Sequence, residues 1–441
     1  MPAAQPRSIV RPRPRRAGLA GLTVVAAVAC GDQLHGPGGD GPGGRDPGAG
    51  AAADAGAGAG SDGAESRRLW GRLASPGHEG QPAIATLFFA GEARDGSTRY
   101  EFPASSNLGL YTEQPLDARN LHWSSQPASR FNVLDQMVDI GINVVYLSYW
   151  GTRGTDTWSR FAPMQSSTFA HDEVLDAIGD RPILVVPFIE SHSDWTFRGE
   201  FPGQPGSPAP GLVAQLEDLV DRIVLHPRDP DWPRRWAQMY GADGTPRRAV
   251  VIIHASSDSS IDDQAYADGL DAVADAVEAA TGERVGFLLD ALPPGSFAPG
   301  TSFATPSGTA GAMRRSASVI GISCFLPEIW VGFDDDPDDA QRLAWKRDFT
   351  EGWARSGVPT LVDVSPGYDA SIVFPGSVRY GHTAAWRGAL RQLVADEGSD
   401  GLVLNSWNGY TEAMDVVPTT VEGDTVFRWA EDLAASVTRP H

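Results

Sequence analysis

The run Gly401–Asp415, GLVLNSWNGYTEAMD, delivers one carboxyl group, Glu412, in the company of Asn405, Ser406, Trp407, Asn408 and Tyr410. A carboxyl group set among rings and amides is suited to proton transfer, because burial raises its pKa toward the working range of a general acid. Further acids recur in a similar position, at or just past the end of an apolar run: Glu92, Glu190, Asp258, Asp290, Glu328 and Asp369. Tyr149, Trp150, Trp195, Trp330 and Tyr368 accompany them, and His192 and His254 follow two of the runs. Carboxylates among exposed rings suit sugars: C–H faces stack on aromatics while paired carboxylates supply the acid and base of glycoside hydrolysis. About half of the rings are expected to serve packing instead.

Those positions depend on the apolar runs that carry them. Runs of strand length begin near residues 84, 142, 183, 249, 285, 319, 359 and 401, and most alternate with segments of helical period. The helical segments include Phe131–Ile140, closed by Gly141; His171–Ile178; Leu212–Leu225; Ile261–Ala280; Ala340–Trp353; His382–Glu397; and Phe427–Ser436. Ile261–Ala280 is the clearest, with Asp262 and Asp263 near its positive N-terminus and Leu270, Val273, Ala274 and Val277 in one stripe. Eight strands alternating with helices predict a parallel sheet closed into a (β/α)8 TIM barrel, in which active sites lie at the C-terminal ends of the strands. Every acid named above is then on the working face.

Competing chemistries find less support. The histidines show neither HExxH nor HxH spacing, so no catalytic metal is expected, and the two cysteines form no CxxC pair. Ser256 and Ser257 near His254 lack a GxSxG elbow, which argues against a serine hydrolase. The acids Asp334–Asp339, interrupted by Pro337, suit a helix N-terminus better than a calcium loop. No cofactor is implied.

The N-terminal region is built differently. Arg7, Arg11, Arg13, Arg15 and Arg16 precede thirteen small or apolar residues, Ala17–Ala29, too few to span a bilayer, which takes ~20. This reads as a signal peptide over residues 1–29, and Ala27-Val28-Ala29-Cys30 resembles a bacterial lipobox, which makes Cys30 the expected lipidation site. The alternative is an ordinary secretory signal cut after Ala29. Residues 30–67 are a Gly/Ala/Pro-rich tether with almost no large apolar side chain, leaving 68–441 for the barrel. Removing the five leader arginines takes the formal charge from −21 to −26, which excludes nucleic acid as a natural partner and leaves neutral glycans compatible. The expectation is an exported, membrane-anchored, monomeric lipoprotein that touches the membrane only through its lipid.

Three stretches carry a resemblance. Ser365-Pro366-Gly367-Tyr368-Asp369 and Ser406-Trp407-Asn408-Gly409-Tyr410-Thr411-Glu412 resemble the last two βα units of glycoside hydrolase family 99 and its barrel relatives. Gly141–Gly151 looks like the second strand of that family, and Val185–Glu190 like its third. The resemblance implies a carbohydrate-active barrel over roughly residues 84–435. In that family two glutamates three apart do the chemistry. The second, which protonates the leaving oxygen, maps to Glu412; the first falls on Gly409, which has no side chain. The expectations that follow are Glu412 as general acid/base, with Glu190 or Asp369 as partner carboxylate. Trp150, Tyr149, His192, His254, Asp258, Asp290, Glu328, Tyr368, Trp407, Asn408 and Tyr410 would contact the substrate. A glycan-binding barrel that has lost its chemistry at Gly409 is the other reading.

Overall fold

The computed structural model describes residues 68–88, 111–121, 127–149, 167–190, 210–253, 263–290, 307–323, 338–372, 379–397, 400–410 and 412–438. The predicted leader, Cys30 and the tether lie outside them.

The eight apolar runs are eight parallel strands: β1 (Ala83–Phe88), β2 (Val144–Tyr149), β3 (Leu184–Glu190), β5 (Pro246–Ile253), β6 (Val285–Asp290), β7 (Val319–Ser323), β8 (Leu361–Val364) and β11 (Gly401–Leu404). They are hydrogen-bonded in the order β7-β6-β5-β3-β2-β1-β11-β8, and β4 (Gln238–Tyr240) adds antiparallel to β5. β8 returns to β7 through one bridge, where Ile322 N donates to Pro359 O over 2.8 Å. The sheet is therefore a nearly closed (β/α)8 barrel. Strands buried on both faces need no polar alternation, which is why the sequence shows them as unbroken apolar runs.

The helices are α1 (Pro127–Asp139), α2 (Ser167–Ile178), α3 (Pro210–Val220), α4 (Trp232–Arg235), α5 (Asp263–Thr281), α6 (Ser307–Arg315), α7 (Asp339–Ser356), α8 (Ala384–Glu397) and α9 (Thr425–Thr438). Asp338, the residue before α7, does what a helix start requires. Asp338 accepts from Gln341 N, and Gln341 Oε1 accepts from Asp338 N, a reciprocal capping box at 2.9 and 3.1 Å. The sequence reading missed helices α4 and α6, strand β4, and the small hairpin of β9 (Gly367–Asp369) with β10 (Arg379–Gly381). None of the described helices is long and apolar enough to cross a membrane.

One end of the barrel is occupied by the chain itself. Residues 68–82 run under the strand starts: Gly71 N donates to Tyr240 O, Ala74 N to Gln238 O, and Trp70 Nε1 to Val319 O at the first residue of β7. Gly71 lies so close to Pro359 that an added Cβ would sit 2.4 Å from its Cβ, and its φ of +78° also requires glycine. The opposite end, where the strands finish, carries Glu190, Asp290, Asp369 and Glu412.

Inside the barrel, Leu87, Tyr146, Phe188, Val251, Leu288 and Val403 surround a cavity of about 20 Å³, with Asp290, Ser323 and Asp363 supplying its polar wall. That volume is of the order needed for one water molecule. The interior is a packed core, and the room for a ligand must lie above it.

Candidate active site

The segment after β11 is shaped by backbone pairing. Asn405 N continues the ladder to Val364 O at 2.8 Å, and the Asn405–Ser406 peptide is cis. The chain then doubles back: Ser406 N donates to Met414 O (2.7 Å) and Val416 N to Ser406 O (2.9 Å). Within this hairpin, Glu412 N donates to Gly409 O, and Asp369 N donates to Glu412 O at 2.7 Å, tying β9 to the loop. Ala413, next to Glu412, has a φ of +48°, a conformation L-residues seldom adopt away from constrained sites.

Glu412 is 1% exposed, and its Oε1 accepts a hydrogen bond from the Tyr368 hydroxyl at 3.1 Å. The two residues come from the loops after neighbouring strands, β11 and β8. Tyr368 is itself held in place. Its ring stacks on Tyr380 of β10, centroids 5.7 Å apart and 14° from parallel, and Tyr380 lies under Arg342 of α7, whose guanidinium carbon is 4.9 Å from the ring centroid. The outcome is one carboxyl group oriented by a neutral donor on a rigid aromatic stack.

Asp369 occupies the same corner in a different state. Its Oδ2 lies 2.8 Å from Arg379 Nε, and its Oδ1 accepts from Ser371 N. A carboxylate committed to a guanidinium and a turn amide is poorly placed to exchange protons.

Other predicted site residues separate clearly. Trp407, fully buried, meets Phe427 at the start of α9 edge-on at 6.4 Å, and Tyr410 tilts against Tyr111 at 5.4 Å. Asn408 is 4% exposed, and its carbonyl accepts from Tyr410 N. Tyr149 ends β2, and its hydroxyl donates to Asp218 of α3, which puts it on the helix side of the sheet; burial first, and then the Asp218 charge, push its phenol pKa up. Asp290 ends β6 and lines the interior cavity. Glu190 is the last residue of β3, its side chain outside what is described, as are Trp150, His192, His254, Asp258 and Glu328. Among the described residues, no cluster of three or more His, Cys, Asp or Glu is disposed to hold a metal ion.

Gly409, where the resemblance places a glutamate, is packed shut. A Cβ there would lie 2.5 Å from Ser406 Oγ and 2.6 Å from Met414 Cγ. The absent carboxylate is thus part of a rebuilt hairpin in which Met414 fills the space.

The sequence reading overlooked Asp363, Lys346, Glu113 and Asp415. Asp363 faces the barrel interior from β8, accepts from Asn405 Nδ2 at 3.3 Å, and lies 3.6 Å from the Nζ of Lys346, a fully buried lysine on α7. Its signal was available, since an acid inside the apolar run PTLVDV must find a buried partner. Nothing local marked Lys346 as that partner.

No protein-family model and no curated relative matches the sequence. Among solved structures, the barrel is similar to that of the GH99 endo-α-mannosidase from Bacteroides thetaiotaomicron determined with bis-tris propane. The TM-score is 0.52 at 12% identity, covering 80% of this chain and 98% of that one. A structure described as a glycoside hydrolase-like protein gives a TM-score of 0.52 at 12% identity, covering 81% and 94%. The chain has the barrel fold of these proteins, as the last two βα motifs implied.

Proposed function

We propose that this chain is a glycoside hydrolase acting on an oligo- or polysaccharide, with Glu412 as its general acid/base. The observation that carries the reading is the Tyr368–Glu412 hydrogen bond, which fixes one buried carboxyl group just past the strand ends of a barrel whose structural neighbours are glycoside hydrolases. Tyr368 orients one oxygen of the carboxyl, and the other is the one through which a proton would pass to a leaving glycosidic oxygen.

The partner carboxylate has to come from another element, because the hairpin leaves no room for one at position 409. Glu190, the last residue of β3, is the choice; Asp369 is held by Arg379. This departs from a two-glutamate arrangement on one loop, and it makes a different linkage or substrate from that of the endo-α-mannosidase the natural expectation. Export, and anchoring through a lipidated Cys30 at the start of the tether, complete the proposal. They would place the barrel outside the cytoplasm, where polysaccharide is met.

The packing at Gly409 favours one further reading, a glycan receptor that keeps the barrel mouth as a binding cleft. The experiment is hydrolysis of a panel of α- and β-linked manno- and gluco-oligosaccharides by the parent and by Glu412→Gln. Cleavage by the parent alone supports the hydrolase and assigns its acid. Binding of one glycan by both proteins, with cleavage by neither, establishes the receptor.

A further inference from the structure

Beside Glu412, residues 111–121 form a strap laid along the loop that carries it. Thr112 N and Glu113 N both donate to Tyr410 O, Leu116 N donates to Pro418 O, and Thr420 N donates to Gln114 O, at 2.7 to 3.1 Å. Docking brings together side chains that ought to repel. Glu113 on the strap lies within electrostatic reach of Asp415 and Glu422 on the loop, and of Asp369 of β9.

Counting the cations decides what state this cluster can hold. Arg387 of α8 pairs with Glu422 at 3.5 Å, and Arg379 of β10 pairs with Asp369 at 2.8 Å. His382 Nδ1 lies 3.9 Å from Glu422, but burial lowers the His382 pKa and favours its neutral form. Glu113 is met by the Thr419 hydroxyl. Asp415 is 3% exposed, and neither of its oxygens accepts a hydrogen bond from another residue. An ionised carboxylate in that position would lack both a donor from another of the described residues and a countercharge, which favours the protonated form. Burial, and then the charges of Glu113 and Glu422, accordingly raise the Asp415 pKa well above the usual carboxylate range.

We propose that Asp415 is a positioning residue, kept as a neutral carboxylic acid, whose protonation latches the strap 111–121 onto the loop bearing Glu412. Ionising it places a third negative charge against Glu113 and Glu422 and loosens the strap, so the site assembles best in mild acid. A carboxyl group whose folded pKa lies above its unfolded value contributes its full stability below the unfolded value. That contribution is lost as pH rises through the folded one.

The test needs no substrate, so its outcome is separate from that of the hydrolysis assay. Thermal unfolding of the full chain, the Asp415→Asn variant and the Glu113→Gln variant is followed from about pH 4 to about pH 8, with hydrogen-exchange protection at Thr112, Glu113, Leu116 and Thr420. Asp415→Asn should match the parent near pH 4 and exceed its Tm by about 2–4 °C near pH 8. Glu113→Gln should recover part of that gain, and protection of the strap amides should fall with pH in the parent, less in Glu113→Gln and not in Asp415→Asn. Parallel Tm profiles for all three proteins, or strap protection that ignores pH in the parent, would overturn the latch. Should Asp415→Asn fail to fold, Glu113→Gln decides by the same criterion.

Discussion

Asp363 in the barrel interior and Glu412 and Asp415 at the rim above it are all buried, and they meet different neighbours. In the interior, Asp363 faces the ammonium of Lys346 and the amide of Asn405. At the rim, Glu412 is met by the neutral hydroxyl of Tyr368, and Asp415 by no hydrogen-bond donor of another residue. A buried acid paired with a cation is locked in its charged form and serves the fold. Whether a buried acid meets a cation or a neutral donor decides which protonation state its surroundings favour. Burial alone does not make that distinction, since all three are at most 5% exposed.

The contrast is broken or sharpened most strongly at Glu412 itself. Glu412→Gln should lower hydrolysis by roughly 10²- to 10⁴-fold while the melting temperature holds, measured on the cleaved member of the glycan panel. If Asp363→Asn, folded, abolished cleavage equally, the distinction between the two acids would fail. Next comes Lys346→Met, which strands the Asp363 charge and should cost about 3–5 kcal/mol of unfolding free energy in a urea titration. The double variant Lys346→Met/Asp363→Leu should regain much of it, as expected of a pair whose role is structural.

A smaller effect is expected from Tyr368→Phe, which keeps the stacked ring and removes only the donor. It should reduce kcat by roughly tenfold with KM little changed, in line with loss of one hydrogen bond. An unchanged kcat would mean that Tyr368 does not orient the acid. Smallest is Gly409→Ala, predicted to lower stability by about 1–3 kcal/mol through overpacking against Met414. Gly409→Glu should restore no activity, and a rise in rate on that substitution would show that the hairpin can accept the glutamate that the resemblance places there.

Much of the fold was legible because barrel strands are short, apolar on both faces and punctuated by polar residues. Each of the eight runs became a strand starting within a few residues of the expected position. The hairpin of β9 and β10 was not legible, since three-residue strands carry no periodicity, and it is this hairpin that brings Tyr380 under Tyr368. Likewise Tyr149 and Tyr146 stand in one unbroken run; only the pleat decides that the first faces the helices and the second the barrel interior.

By itself the sequence determined the element order, the barrel, and the delivery of Glu412 and Tyr368 to loops after adjacent strands, because local composition and period specify those. Tertiary structure decided which acids acquired cations. The pairing of Asp363 with Lys346, the isolation of Asp415 against Glu113, and the closure of position 409 by Met414 join elements that are either distant along the chain or folded back on one another. Such meetings follow from strand register and loop docking, neither of which is written in any local stretch of residues.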